Sequence, residues 1–154
     1  MKAISFLMCL LASTPSYALS VLQEPVSLQA NEVVPTKSTY GFVRIASCVV
    51  YYYEMNRYFV SQGDYKMSTG TKVSYDVMID IGKSYIDQTG RSIEEFQAAI
   101  YAIAYEINNT SRPLDSSGIA TLQNTLSEIC ENMKETPVIT IDALYQKEYN
   151  GLLK

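Results

Sequence analysis

Asp76 and Asp80 lie one helical turn apart and are the carboxylate pair in this sequence with spacing suited to general acid/base chemistry. Lys72 precedes Asp76 by four residues and Lys83 follows Asp80 by three, which is the pattern of ion pairs on a solvated helix face. We read the pair as such a face. Histidine is absent from the chain, which removes Ser-His and Cys-His nucleophilic centres and the commonest metal ligand. No serine is followed by lysine three residues later, and neither a glycine-rich phosphate loop nor a calcium-loop spacing occurs. The expectation is a protein that is not an enzyme and carries no cofactor or metal.

Cysteine chemistry depends on compartment. "MKAISFLMCLLASTPSYALS" opens with Met1-Lys2, continues through an apolar run from Ala3 to Ala12, and ends in small residues up to Ala18. That order predicts a cleaved signal peptide over 1–18. The run falls short of the roughly 20 residues that a membrane span needs, and no membrane association is expected. Cleavage removes Cys9 and leaves Cys48 and Cys130. In an exported chain two cysteines pair by default, with a single possible connectivity. The alternative is two buried free thiols. The single lysine of the signal has a bacterial look, so the expected location is the periplasm. The overlapping glycosylation sequons in Asn108-Asn109-Thr110-Ser111 are then a polar helix end. Acidic residues outnumber basic ones, 16 to 12, and no basic cluster exists, so nucleic acid is not an expected partner.

These residues need elements to position them. Residues 19–36 hold two prolines and no helical period, and are read as an extended lead-in. Residues 37–154 are read as one helical domain. The first helix is predicted over about 38–62, with Phe42, Ile45, Val49, Tyr52, Asn56 and Phe59 at alternating three and four spacing. "QGDYKMSTGT" then breaks the chain. The second helix covers about 72–88, with Val73, Val77, Ile81 and Tyr85 on its inner face and Gly90 past its end. The third starts at a capping box of Ser92 and Glu95 and carries the stripe Ile93, Phe96, Ile100, Ile103 and Ile107. The fourth starts at about Ser117, with Ile119, Leu122, Leu126, Ile129 and Met133. A short fifth, about 140–150, carries Ile141, Leu144 and Tyr145. Such stripes can be buried only against one another, so the fold class is all-α: a compact bundle of four amphipathic helices plus a short C-terminal helix, with one disulfide.

The chain has 13 tyrosines and no tryptophan, and its densest run is "CVVYYYEMNRYF". On a helical wheel Ile45, Val49, Tyr52, Asn56 and Phe59 form one seam, while Tyr51 and Tyr58 point away from it alongside Arg44. Either the lead-in or the fifth helix covers these outward tyrosines, or Arg44, Tyr51 and Tyr58 form a dimer or partner face. Tyrosine and arginine are enriched at such faces.

Three stretches resemble one family. "YGFVRIASCVV", "GKSYIDQTGRSIEEFQAAIYAIAYEI" and the closing "IDALYQKEYNGLLK" are similar to the periplasmic immunity proteins that neutralise type VI secretion peptidoglycan amidases. The resemblance covers about half of the chain left after cleavage. It implies an all-helical, disulfide-containing and often dimeric protein that inserts a loop into the cleft of a cognate amidase toxin. The loop it points to is "NNTSRPLDSS", with Arg112, Leu114 and Asp115 making the contacts. The chain departs from the family in placing Cys130 ten residues before Thr140, and in having a whole helix between Ile107 and Ile139. Two other classes suit the same composition: a periplasmic acid-stress chaperone and an accessory subunit of an envelope complex.

Overall fold

A computed structural model describes residues 34–110 and 112–149. The expected signal peptide over 1–18, and the expected lead-in up to residue 33, lie outside the described residues. Thr36 ends the extended approach and caps the first helix, its side chain accepting from the Thr39 amide at 3.2 Å. Five helices follow: α1 (Lys37–Ser61), α2 (Tyr65–Thr89), α3 (Ile93–Ile107), α4 (Ser116–Glu135) and α5 (Pro137–Tyr149). The all-α class and the helix count agree with the sequence reading.

Each boundary has a local cause. Ser92 and Glu95 form the expected capping box, with bonds of 3.0 and 3.1 Å to each other's backbone amides. Asp115 caps α4 by accepting from Gly118 N at 2.8 Å. Pro137 opens α5, where a missing N–H costs nothing. The expected start of α2 needs correction. It begins at Tyr65, seven residues before Lys72. Gly63, at φ +73°, reverses the chain in a left-handed conformation that side chains rarely adopt, and Asp64 caps the new helix through Met67 N. Asn56 of α1 then donates to the carbonyl and hydroxyl of Ser68 at 2.8 and 3.0 Å. A tertiary contact therefore holds turns whose Ser, Thr and Gly content alone reads as a break.

The register of α2 also differs from the expectation. Ser68, Met78, Gly82 and Ile86 are its buried positions, while Val73 and Val77 are exposed and Ile81 and Tyr85 lie half-buried at the border. The reason is Gly82. The Phe96 ring of α3 lies over it so closely that a Cβ at Gly82 would fall inside the ring's van der Waals envelope. Phe96 in turn meets Phe42 of α1 edge-on at 5.6 Å. Gly82→Ala should therefore lower stability by about 1–3 kcal/mol through overpacking. Gly70→Ala, where nothing stands within 4 Å of the new methyl, should raise it by up to about 1 kcal/mol. Urea midpoints of the two variants give the comparison, and equal midpoints would remove the close approach as the cause of the register.

The larger difference concerns α1. It touches all four other helices, and 14 of its residues are buried, in an almost unbroken run from Tyr40 to Met55. With both the seam and its opposite side buried as far as Met55, and only Tyr53 exposed in that stretch, α1 is a central helix and not a surface helix with one seam. Cys48 and Cys130, both fully buried, join α1 to α4 with a Cα separation of 5.3 Å, as expected for a disulfide. Next to this bridge Tyr52 donates to Glu131 at 2.7 Å, and Lys134 pairs with the same carboxylate at 2.8 Å. Burial first, then the bond and charge of Glu131, push the Tyr52 hydroxyl above the ordinary phenol range. Burial works to raise the Glu131 carboxyl, but the hydrogen bonds from Lys134 and Tyr52 outweigh it and leave the group below its usual range. No helix among the described residues is long and apolar enough to cross a membrane.

Candidate protein-binding surface

The face expected from Arg44, Tyr51 and Tyr58 does not form. Arg44 is 6% exposed and Tyr51 5%, so neither offers area to a partner in this fold. Tyr58 is half-buried, packed against the core with its ring edge-on to Phe59 at 5.5 Å. Helix α5 accounts for Arg44. The guanidinium pairs with Glu148 and lies 4.9 Å over the Tyr40 ring, and Tyr40 donates to the same carboxylate at 2.8 Å. Tyr40, Tyr145 and Tyr149 close the cluster ring against ring, with centroids 5.0 to 5.8 Å apart. Burial is the main reason the Tyr40 hydroxyl is pushed well above its usual range. Tyr40 and Tyr145 are buried and Tyr149 half-buried, and their stacking holds α5 on α1. Tyr145 also holds the incoming chain by donating to the Pro35 carbonyl at 2.8 Å.

The loop between α3 and α4 contains the other three residues expected to make contact, and the structure separates their roles. Arg112 and Pro113 are exposed. Leu114 is half-buried, packed against the core and against Gly118. Asp115 is exposed, but its carboxylate is engaged as the cap of α4. Of the three, Arg112 alone is exposed without capping the next helix, while Leu114 and Asp115 secure the loop. Further in, Asn108 anchors the turn. Its Nδ2 donates to the Arg112 carbonyl at 2.8 Å, and its Oδ1 accepts from the Thr110 amide and hydroxyl at 3.3 and 2.8 Å.

Two features escaped the sequence reading. Tyr101 and Tyr105 are 75% and 70% exposed, and they stand at i,i+4 on the side of α3 opposite Phe96, Ile103 and Ile107. Their spacing was legible, since a wheel drawn on α3 instead of α1 places them outward. Tyr105 lies one turn before Asn108, so this face runs into the loop. Nearby, burial raises the Glu106 carboxyl above its ordinary range. The second feature is Glu54, 1% exposed in the middle of α1 and bonded to Asn108. No sequence signal marks it, because a glutamate on a helix is ordinarily a surface residue.

Asp76 and Asp80 behave as the solvated face that was expected. Each is exposed and pairs with its lysine, at 2.7 Å to Lys72 and 3.3 Å to Lys83. Among the described residues no three His, Cys, Asp or Glu side chains gather in a way that could hold a metal ion. Among the described residues the α3–α4 turn presents an exposed arginine, and the outer side of α3 presents two exposed tyrosines. No family model, curated protein or solved structure matches this chain.

Proposed function

We propose that the chain is an exported protein-binding protein of the periplasm. More specifically, it is an immunity-type inhibitor that occludes the cleft of a peptidoglycan amidase toxin with its α3–α4 loop. The observation that carries this reading is the loop itself, tied by Asn108 at its start and Asp115 at its end while Arg112 is left exposed between them. A loop ordered before binding loses little freedom when it enters a cleft, and an arginine there can read a carboxylate or carbonyl with a directed fork. The absence of histidine from the chain and the leader at its start support a non-enzymatic, exported role.

The gene should lie beside one encoding a secreted amidase, and the purified protein should inhibit that enzyme at a 1:1 ratio. Arg112→Ala should weaken binding by about 2 kcal/mol, roughly thirtyfold in Kd, without changing the melting curve. Equal inhibition by wild type and R112A would remove the loop as the inhibitory element. A second reading, as a subunit of an envelope complex or a homodimer, draws on the exposure of Tyr101 and Tyr105. It predicts the opposite pattern: Tyr101→Ala with Tyr105→Ala abolishes association, and R112A has no effect.

A further inference from the structure

A carboxylate in the middle of a central helix needs a reason. Glu54 is 1% exposed among apolar neighbours on α1. Its Oε1 accepts from Arg57 Nη1 at 2.9 Å and its Oε2 accepts from the same nitrogen at 3.3 Å. Oε2 also accepts from Asn108 Nδ2 at 3.2 Å. Pairing with Arg57 offsets the desolvation of the charge but does not require it to be there, because an apolar side chain of similar size would fill the same space without that cost. A carboxylate adds direction, since it accepts a charge-assisted hydrogen bond in a defined geometry.

That bond is made to the residue on which the α3–α4 turn depends. The Asn108 amide that donates to Glu54 also donates to the Arg112 carbonyl, and its oxygen receives both the amide and the hydroxyl of Thr110. The Thr110 hydroxyl reaches the Arg112 carbonyl as well, at 3.3 Å. A single side chain thus links a buried charge on α1 to the backbone on either side of the turn.

We propose that Glu54 is a positioning residue: through Asn108 it sets the backbone conformation of the α3–α4 loop and hence the place from which Arg112 is presented. The value of that placement to a partner rests on the function proposed above, whereas the clamp itself does not. The test uses two substitutions at Asn108 in the full oxidised chain, read by backbone amide hydrogen exchange. Asn108→Asp keeps an oxygen for Thr110 but turns a second carboxylate toward Glu54. Asn108→Ala removes the loop's internal bonds and adds no repulsion. If Glu54 positions the loop, like charges should cancel the acceptor that Asp keeps, so the Thr110 amide should exchange in N108D at least as fast as in N108A, both about tenfold faster than in the wild type. Amides of α1 and α4 should stay unchanged.

If the loop holds itself, N108D should instead be milder than N108A, and that order overturns the proposal. A uniform rise across all helices would also overturn it, by making Asn108 a general stability residue. Glu54→Gln supplies a second reading, since it should speed loop exchange in the wild-type chain and leave it unchanged when residue 108 is already Ala. Equal acceleration in both backgrounds counts against positioning through Asn108. None of these measurements needs a partner, so the clamp and the proposed function can fail separately.

Discussion

Replacing both Cys48 and Cys130 by alanine is expected to lower the free energy of unfolding by about 4.5 kcal/mol, the chain-entropy value for a cross-link across 82 residues. The bridge joins the middle of the central helix to the last third of α4, so its removal frees most of the folded chain in the unfolded state. Both sulfurs are also fully buried, and alanine at each site leaves a small void that adds to the loss. A domain of this size has about 5–15 kcal/mol of stability in total, so the variant should be partly unfolded at 37 °C or close to it. Guanidinium unfolding of the oxidised protein and of the double variant gives the number. Alkylation of the denatured protein without reductant should leave Cys48 and Cys130 unlabelled. A loss below about 1 kcal/mol would mean that the unfolded chain is already compact enough for the cross-link to constrain little.

Tyr51→Ala should cost about 3–5 kcal/mol, the range for deleting a buried aromatic ring. The ring is 5% exposed and lies edge-on to Tyr52 with centroids 4.8 Å apart. Burial first, and then the charge of Glu131, raise its hydroxyl pKa, in keeping with an interior position. Tyr101→Ala is the comparison, because that side chain is 75% exposed and surface changes ordinarily stay within about 0.5 kcal/mol. The two tyrosines should therefore separate cleanly in denaturant midpoints: Tyr51 carries stability, and Tyr101 does not. Loss of less than about 1 kcal/mol for Tyr51→Ala would show that α1 has an open side after all.

Tyr51 also shows where one-dimensional reading stops. A helical wheel assigns each residue an angle and assumes one buried sector, an assumption that holds when a helix lies on the surface of a bundle. It holds for α4, whose stripe was read correctly from Ile119 to Met133, and for α3 from Phe96 to Ile107, but not for Ile93, which was expected on that stripe and is 39% exposed in the first turn. It fails for α1, where the seam and the opposite side are both covered, and for α2, where Gly82 and Phe96 set the rotation. The site followed the same division. The α3–α4 connection was legible as a loop from its turn residues and Pro113, while the choice of Arg112 came from the family resemblance alone. Glu54 was not, because its burial depends on a loop more than fifty residues away in sequence.

Sequence alone determined the parts of this protein that depend on near neighbours. The number of helices, the capping box of α3, the inner face of α4 and that of α3 from Phe96 onward all follow from residues within a few positions of each other. So does the exclusion of histidine chemistry, which is a matter of composition. The tertiary structure decided which helix is central, which way α2 turns, and which tyrosines remain outside. Those outcomes rest on side chains that meet across the bundle, and helical periodicity describes one helix at a time. The disulfide stands between the two: the cysteine count named the pair, and the packing of α4 on α1 brought the two Cα atoms within 5.3 Å.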